Sequence, residues 1–142
     1  MSRAVFVDTS AWYALADSGD AHHVESVRHL RSLVGGHRRL VTTNHVAGET
    51  YTLLRVRLGP MVADEFLRRA RSSAFVERVF VQEPWEGAAE DLLAQYGDQD
   101  FSYVDATSFI AMHRLGLREA LAFDRHFAAA GFRSIADDGR DE

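Results

Sequence analysis

Five short apolar runs, at 4–7, 40–43, 79–82, 120–123 and 132–135, alternate with longer stretches of helical period. Those stretches predict helices over 10–16, 22–34, 45–58, 61–73, 86–96, 103–115 and 125–130, with Gly35-Gly36, Gly59-Pro60, Gly97, Gly116 and Gly131 as stops or turns between elements. Strands spaced by helices cannot pair as hairpins; they call for a parallel sheet covered by helices on both faces. The 142 residues are therefore read as one α/β domain, with about 137–142 as a solvated tail.

Two of the strands end alike, VFVD on Asp8 and LAFD on Asp124, each acid at a strand's carboxyl end and a helix's start. Aspartate caps helices well, so either could be an N-cap. Ligands of open parallel sheets also bind beyond the strands' carboxyl ends, where the strand order reverses. Glu49 follows Val46 and precedes Leu53 and Val56 at helical steps, which would set a carboxylate on a core-facing stripe. That is costly unless a partner or a cation meets it; a buried face offset to Ala47, Leu54 and Leu58 would instead leave Glu49 at the edge. Asp105 stands third after Ser102, the spacing of a capping box, yet shares a stripe with Phe109 and Met112. Asp100 either edges the same site or belongs to a solvated acidic loop, GDQD.

If Asp8, Glu49, Asp105 and Asp124 converge, four carboxylates must share protons or recruit a cation. Oxygen ligands suit Mg²⁺ or Mn²⁺, which activate water and stabilise phosphate charge. The chain has no cysteine and no lysine, which excludes thiolate zinc sites, thiol nucleophiles, Schiff bases and a phosphate-loop lysine. Its seven histidines show no His-x-x-x-His spacing, and His22-His23 reads as an exposed helix start rather than a zinc site. The net charge is −5, but ten arginines face four acids between Arg28 and Arg78, leaving −11 to the rest. Such asymmetry can hold a phosphate backbone on one face, or only mark solvated helices. No apolar run is long enough to cross a bilayer and the start, MSRAVFVD, lacks a signal peptide's apolar region, so a cytoplasmic protein is expected.

VFVDTSAWYAL, TTNHVAGETYTLL, FSYVDATSFIAM and ALAFDRHF, in that order, resemble a PIN domain, and more narrowly the VapC-type toxins of bacterial toxin–antitoxin pairs. The resemblance covers essentially the whole chain. It implies a Mg²⁺- or Mn²⁺-dependent endoribonuclease, homodimeric and held inactive by a cognate VapB-type antitoxin. The family's acidic quartet falls on Asp8, Glu49, Asp105 and Asp124, with Thr9 or Ser10 supporting the metal and Asp100 matching a less regular extra acid. Asp8 is then expected as a metal ligand first, with helix capping left to its neighbours. The expected fold is a three-layer α/β/α sandwich on a five-stranded parallel sheet ordered 3-2-1-4-5, in which right-handed crossovers bring Asp8 beside Asp124.

A haloacid-dehalogenase-like phosphatase also places aspartate after its first strand, but needs a second two residues on, where this chain has Ser10. A receiver-type signalling domain needs a lysine. A catalytically silent PIN-fold interaction module is the non-enzymatic alternative. For RNA, Arg55, Arg57, Arg68, Arg69 and Arg71 are expected to line the approach to the acids.

Overall fold

The computed structural model describes residues 3–138. Five parallel strands, β1 (Val5–Val7), β2 (Leu40–Thr43), β3 (Val76–Val79), β4 (Glu119–Leu121) and β5 (Arg133–Ser134), form one sheet in the order β3-β2-β1-β4-β5. The helices are α1 (Thr9–Ala16), α2 (His23–Gly35), α3 (Asn44–Leu58), α4 (Pro60–Ser72), α5 (Glu83–Gln95), α6 (Tyr103–Leu115), α7 (His126–Ala129) and α8 (Ile135–Asp138). Successive strand residues point to opposite faces, and every residue of β1 and β2 is buried, so helices cover both sides of the sheet. The expected fold and strand order hold.

Only β2 keeps its expected bounds; β1 starts one residue late, and the other three strands differ more. The third strand starts at Val76, three residues before the apolar run at 79–82, and carries Glu77 and Arg78. It is the sheet's edge, where charged side chains face water and discourage pairing with another chain, while Phe80 beyond it is 59% exposed. The fourth strand ends at Leu121, two residues before the expected end, although Ala122 is still buried. The fifth is two residues long, because Ile135 begins α8 rather than ending the strand. Residues 137 and 138 of the expected tail thus close a helix, and 139–142 lie outside the described residues.

An aromatic cluster fills one face of the sheet. Phe6 of β1 meets Phe127 of α7 at 5.9 Å, and Phe109 of α6 stands edge-on to Phe127 at 5.0 Å. Phe132 closes the cluster 5.7 Å from Phe109. All four are buried. This cluster is the floor of the acidic site, since Asp8 follows Phe6 by two residues, Asp105 lies one helical turn before Phe109, and Asp124 lies three residues before Phe127.

Trp12 packs against Phe66 at 6.1 Å, and its indole N–H donates to Thr42 Oγ1 at 3.2 Å inside the core. Thr42→Val keeps the side chain's shape but leaves that N–H without its acceptor. Urea unfolding should show a loss of about 1–3 kcal/mol, the desolvation cost of an unmade buried hydrogen bond. An unchanged midpoint would mean that the indole finds another acceptor.

Candidate active site

Asp8 ends β1 and is 3% exposed. Its backbone N–H still donates to Leu121 O at 3.0 Å, so the β1–β4 ladder runs into the site. Contrary to expectation, Asp8 itself caps α1: Oδ2 accepts from Ser10 N at 3.2 Å and from Ser10 Oγ at 3.0 Å. An extended residue before a helix presents its carboxylate to the orphan N–H groups, so capping and ligation fall on one side chain. Ser10 Oγ also accepts from Phe123 N at 2.9 Å, tying the ends of β1 and β4 together through one hydroxyl.

Asp124 is half-buried at the end of the neighbouring strand, close enough to Asp8 for its charge to raise the Asp8 carboxyl. Its Oδ1 accepts from His126 N at 2.9 Å. Burial pushes the Asp8 carboxyl up to about 7, with the Asp124 charge adding to the effect. Burial also raises Asp124, against the His126 N–H and with the Asp105 charge.

Asp105 is 6% exposed and does both things its sequence allowed. Ser102 Oγ accepts from Asp105 N at 3.0 Å and Asp105 Oδ2 accepts from Ser102 N at 2.9 Å, a complete capping box. The same Oδ2 lies 2.9 Å from His126 Nδ1. Glu49 stands at the edge of the buried stripe of α3, which runs through Val46, Ala47, Thr50 and Leu54; Val56 is 79% exposed. The offset face holds at Ala47 and Leu54, but Leu58 is 40% exposed and Val46 of the other stripe is fully buried. Glu49 is half-buried and accepts from Thr9 Oγ1 at 2.6 Å, which links it to the Asp8 turn. Asp100 is exposed in the loop before α6.

His126 is the member that sequence reading missed. Its Nδ1 lies 4.0 Å from Asp124 Oδ1, and Asp105, Asp124 and His126 each offer a ligand atom within 4.8 Å of the others. The available signal was its place two residues after Asp124 in DRHF, not a His-x-x-x-His repeat. Oxygen donors from Asp8, Asp105 and Asp124, with Glu49 behind Thr9, suit a hard divalent cation. The repulsion among these acids supports that fit, because the Asp124 and Asp105 charges add to the rise of the Asp8 carboxyl and the Asp105 charge adds to that of Asp124.

The five arginines expected to line the approach lie on α3 and α4. The last turn of α4, with Arg69 and Arg71, leads into the start of β3, at the opposite end of the sheet from the carboxylates. Arg68 and Arg69 ion-pair with Glu65. Arg57 lies over the Tyr13 ring at 5.1 Å, and Arg55 donates to Tyr51 Oη at 3.4 Å. Charge counted along the chain does not say at which end of a helix it emerges. Arg125, exposed beside Asp124, is the arginine adjacent to the acids in sequence. Of the His22-His23 pair, His22 is exposed just before α2 with its ring stacked on Phe123 at 4.5 Å, whereas His23 is half-buried with Nδ1 2.8 Å from Ala14 O.

A strand order reversing between β1 and β4, with acids at both strand ends, defines a PIN-type site. The PIN domain family model matches residues 5–133, and the chain belongs to the PIN-domain family. It is 41% identical over 131 residues to the 23S rRNA-specific endonuclease VapC20 of Mycobacterium tuberculosis, covering 92% of this chain and 97% of that protein. A VapC ribonuclease of Archaeoglobus fulgidus is 31% identical over 127 residues, covering 88% of this chain and 80% of that protein. The crystal structure of M. tuberculosis VapC20, described as a Sarcin-Ricin loop cleaving toxin, matches with a TM-score of 0.84 at 39% identity, covering 92% of this chain and 98% of that one. FitAcB from Neisseria gonorrhoeae shares the fold, with a TM-score of 0.63 at 14% identity, covering 92% and 95%.

The raised Asp8 group makes the cation-free protein sensitive to pH. Its carboxyl takes a proton at about 7 when folded and at 3.8 when unfolded. Between those values the folded chain holds the extra proton, so its stabilising effect is complete below the unfolded value and is lost as pH rises through the folded one. Urea unfolding in EDTA should therefore show stability falling from about pH 4 to pH 7, by up to about 1.4 kcal/mol per unit. Asp8→Asn should flatten that slope and be the more stable form at the upper end. A wild-type slope equal to the variant's would remove Asp8 as its source.

Proposed function

We propose that the chain is a Mg²⁺- or Mn²⁺-dependent endoribonuclease, the toxin of a type II toxin–antitoxin pair. The observation that carries this reading is the cluster of Asp105, Asp124 and His126, whose ligand atoms lie within 4.8 Å of one another, with the buried Asp8 at the adjoining strand end where the strand order reverses. Asp8, Asp105 and Asp124 would hold the ion, and Glu49 would act from behind Thr9. A bound ion would supply charge stabilisation at the scissile phosphate and an activated water. The chain's own part is positional. Ser10 fixes the Asp8 carboxylate, Ser102 fixes Asp105 and the His126 N–H fixes Asp124, so none must reorganise as phosphate arrives. Arg125 is placed to meet a neighbouring phosphate.

The relatives' printed specificity makes 23S rRNA the first substrate to test. With Mg²⁺ or Mn²⁺ present, the protein should cleave RNA in intact ribosomes, and EDTA should stop it. Asp8→Asn, Asp105→Asn and Asp124→Asn should abolish cleavage, whereas Glu49→Gln should lower it by about 10- to 100-fold, the usual cost of a group supporting a metal site from behind. Cleavage that survives EDTA overturns the mechanism. The silent-module alternative requires the wild type to cleave nothing, and membership of the PIN family disfavours the phosphatase.

The proposal includes a VapB-type antitoxin, a homodimer and a cytoplasmic setting. Among the described residues no helix is long and apolar enough to cross a membrane. An apolar groove of about 980 Å³ lies between α1, α2, α4 and the starts of β2 and β3, with Trp12, Leu30, Met61, Phe66 and Phe75 in its lining and Arg31 and Arg69 beside them. We assign it to an apolar segment of the antitoxin on the strength of its apolar walls, since Arg69 there already pairs with Glu65, which also lines the groove. Met61 is 85% exposed there, so Met61→Glu should weaken antitoxin binding in a titration and leave RNA cleavage unchanged. Undiminished binding would move the partner to another surface.

A further inference from the structure

Carboxylates alone give Mg²⁺ and Mn²⁺ the same oxygen donors; a nitrogen donor separates them. Mg²⁺ is hard and keeps oxygen and water around it, whereas Mn²⁺, which also favours carboxylate and water, belongs to the first-row transition series and takes an imidazole nitrogen more readily than Mg²⁺ does. His126 Nδ1 lies 2.9 Å from Asp105 Oδ2 and 4.0 Å from Asp124 Oδ1. In an octahedral shell with bonds near 2.1 Å, neighbouring ligand atoms stand about 3.0 Å apart and opposite ones about 4.2 Å. Both separations fall within that range.

The ring is also held in place. The His126 backbone N–H donates to Asp124 Oδ1 at 2.9 Å, fixing the residue at the start of α7. Phe101 meets the ring edge-on at 5.8 Å, and Phe101 is in turn edge-on to the buried Phe109 at 5.0 Å. The aromatic floor thus supports the imidazole beside the carboxylates, and its 26% side-chain exposure leaves it open to an ion from solvent.

We propose that His126 Nδ1 is a nitrogen ligand of the divalent cation and that it biases the site toward Mn²⁺ over Mg²⁺; this rests on the metal-dependent reading above. Coordination uses the tautomer whose proton is on Nε2. The competing role for the same contact is a hydrogen bond that only positions Asp105. His126→Asn separates the two, because the asparagine amide can still reach Asp105 from near the Nδ1 position but brings no imidazole.

The test measures Mn²⁺ and Mg²⁺ affinities of the full chain by calorimetry, for wild type and His126→Asn. The Mn²⁺ affinity should fall by about tenfold or more and the Mg²⁺ affinity by less, so that the preference collapses. Pulsed electron paramagnetic resonance of the Mn²⁺-loaded wild type should show the ¹⁴N coupling of a directly bound imidazole, and the variant should lose it. An ion bound without nitrogen coupling, or an unchanged preference in the variant, overturns the ligand role and leaves the nuclease reading standing. A wild type that binds neither ion overturns both. If the variant does not fold, the wild-type spectrum decides alone.

Discussion

The backbone ladder between β1 and β4 is the constraint on which the site depends. Adjacent strands stand about 4.8 Å apart, and this pair is held at its carboxyl end by the Asp8 N–H on Leu121 O and by Ser10 Oγ under Phe123 N. Acids that follow such strands cannot move apart to relieve their repulsion. Asp8 answers with a raised proton affinity, and its neighbours are a hydroxyl, an amide and another carboxyl group. The sheet's spacing thus becomes the spacing of the acids, and in the proposed function a cation would resolve the conflict at neutral pH.

Beneath that ladder, the Phe6, Phe109, Phe127 and Phe132 cluster joins three elements that each carry one site residue or more. Its contacts, edge-to-face between Phe109 and Phe127 and tilted elsewhere, fix the rotation of α6 and α7 about their own axes. Rotation of α6 decides whether Asp105 faces the sheet, and the seating of α7 decides where Asp124 and His126 point. An apolar floor therefore sets the direction of polar groups it does not touch.

Much of this was legible in the chain. The alternation of short apolar runs and helical stretches prescribes the parallel sheet, and the paired endings VFVD and LAFD mark its reversal. What escaped has physical causes. The edge strand carries Glu77 and Arg78, so Val79-Phe80-Val81, more apolar and largely beyond the sheet, reads as the better strand. Helical periodicity leaves two neighbouring stripes on α3, and only packing chooses the one through Ala47, Thr50 and Leu54 that sets Glu49 at the rim. The His126 ring meets a carboxylate 21 positions earlier, a proximity created by the crossover from α6 through β4 and written in no local motif.

Asp105 opens α6 through a reciprocal box with Ser102 and offers the same oxygen to the site. A carboxylate so used cannot leave the site without releasing the first turn of its helix, nor can that turn fray and leave the site intact. Whatever occupies the cleft therefore also clamps α6, and by reciprocity the firmness of that first turn enters the occupant's affinity. Catalytic readiness and the local order of one helix are, in this chain, a single equilibrium.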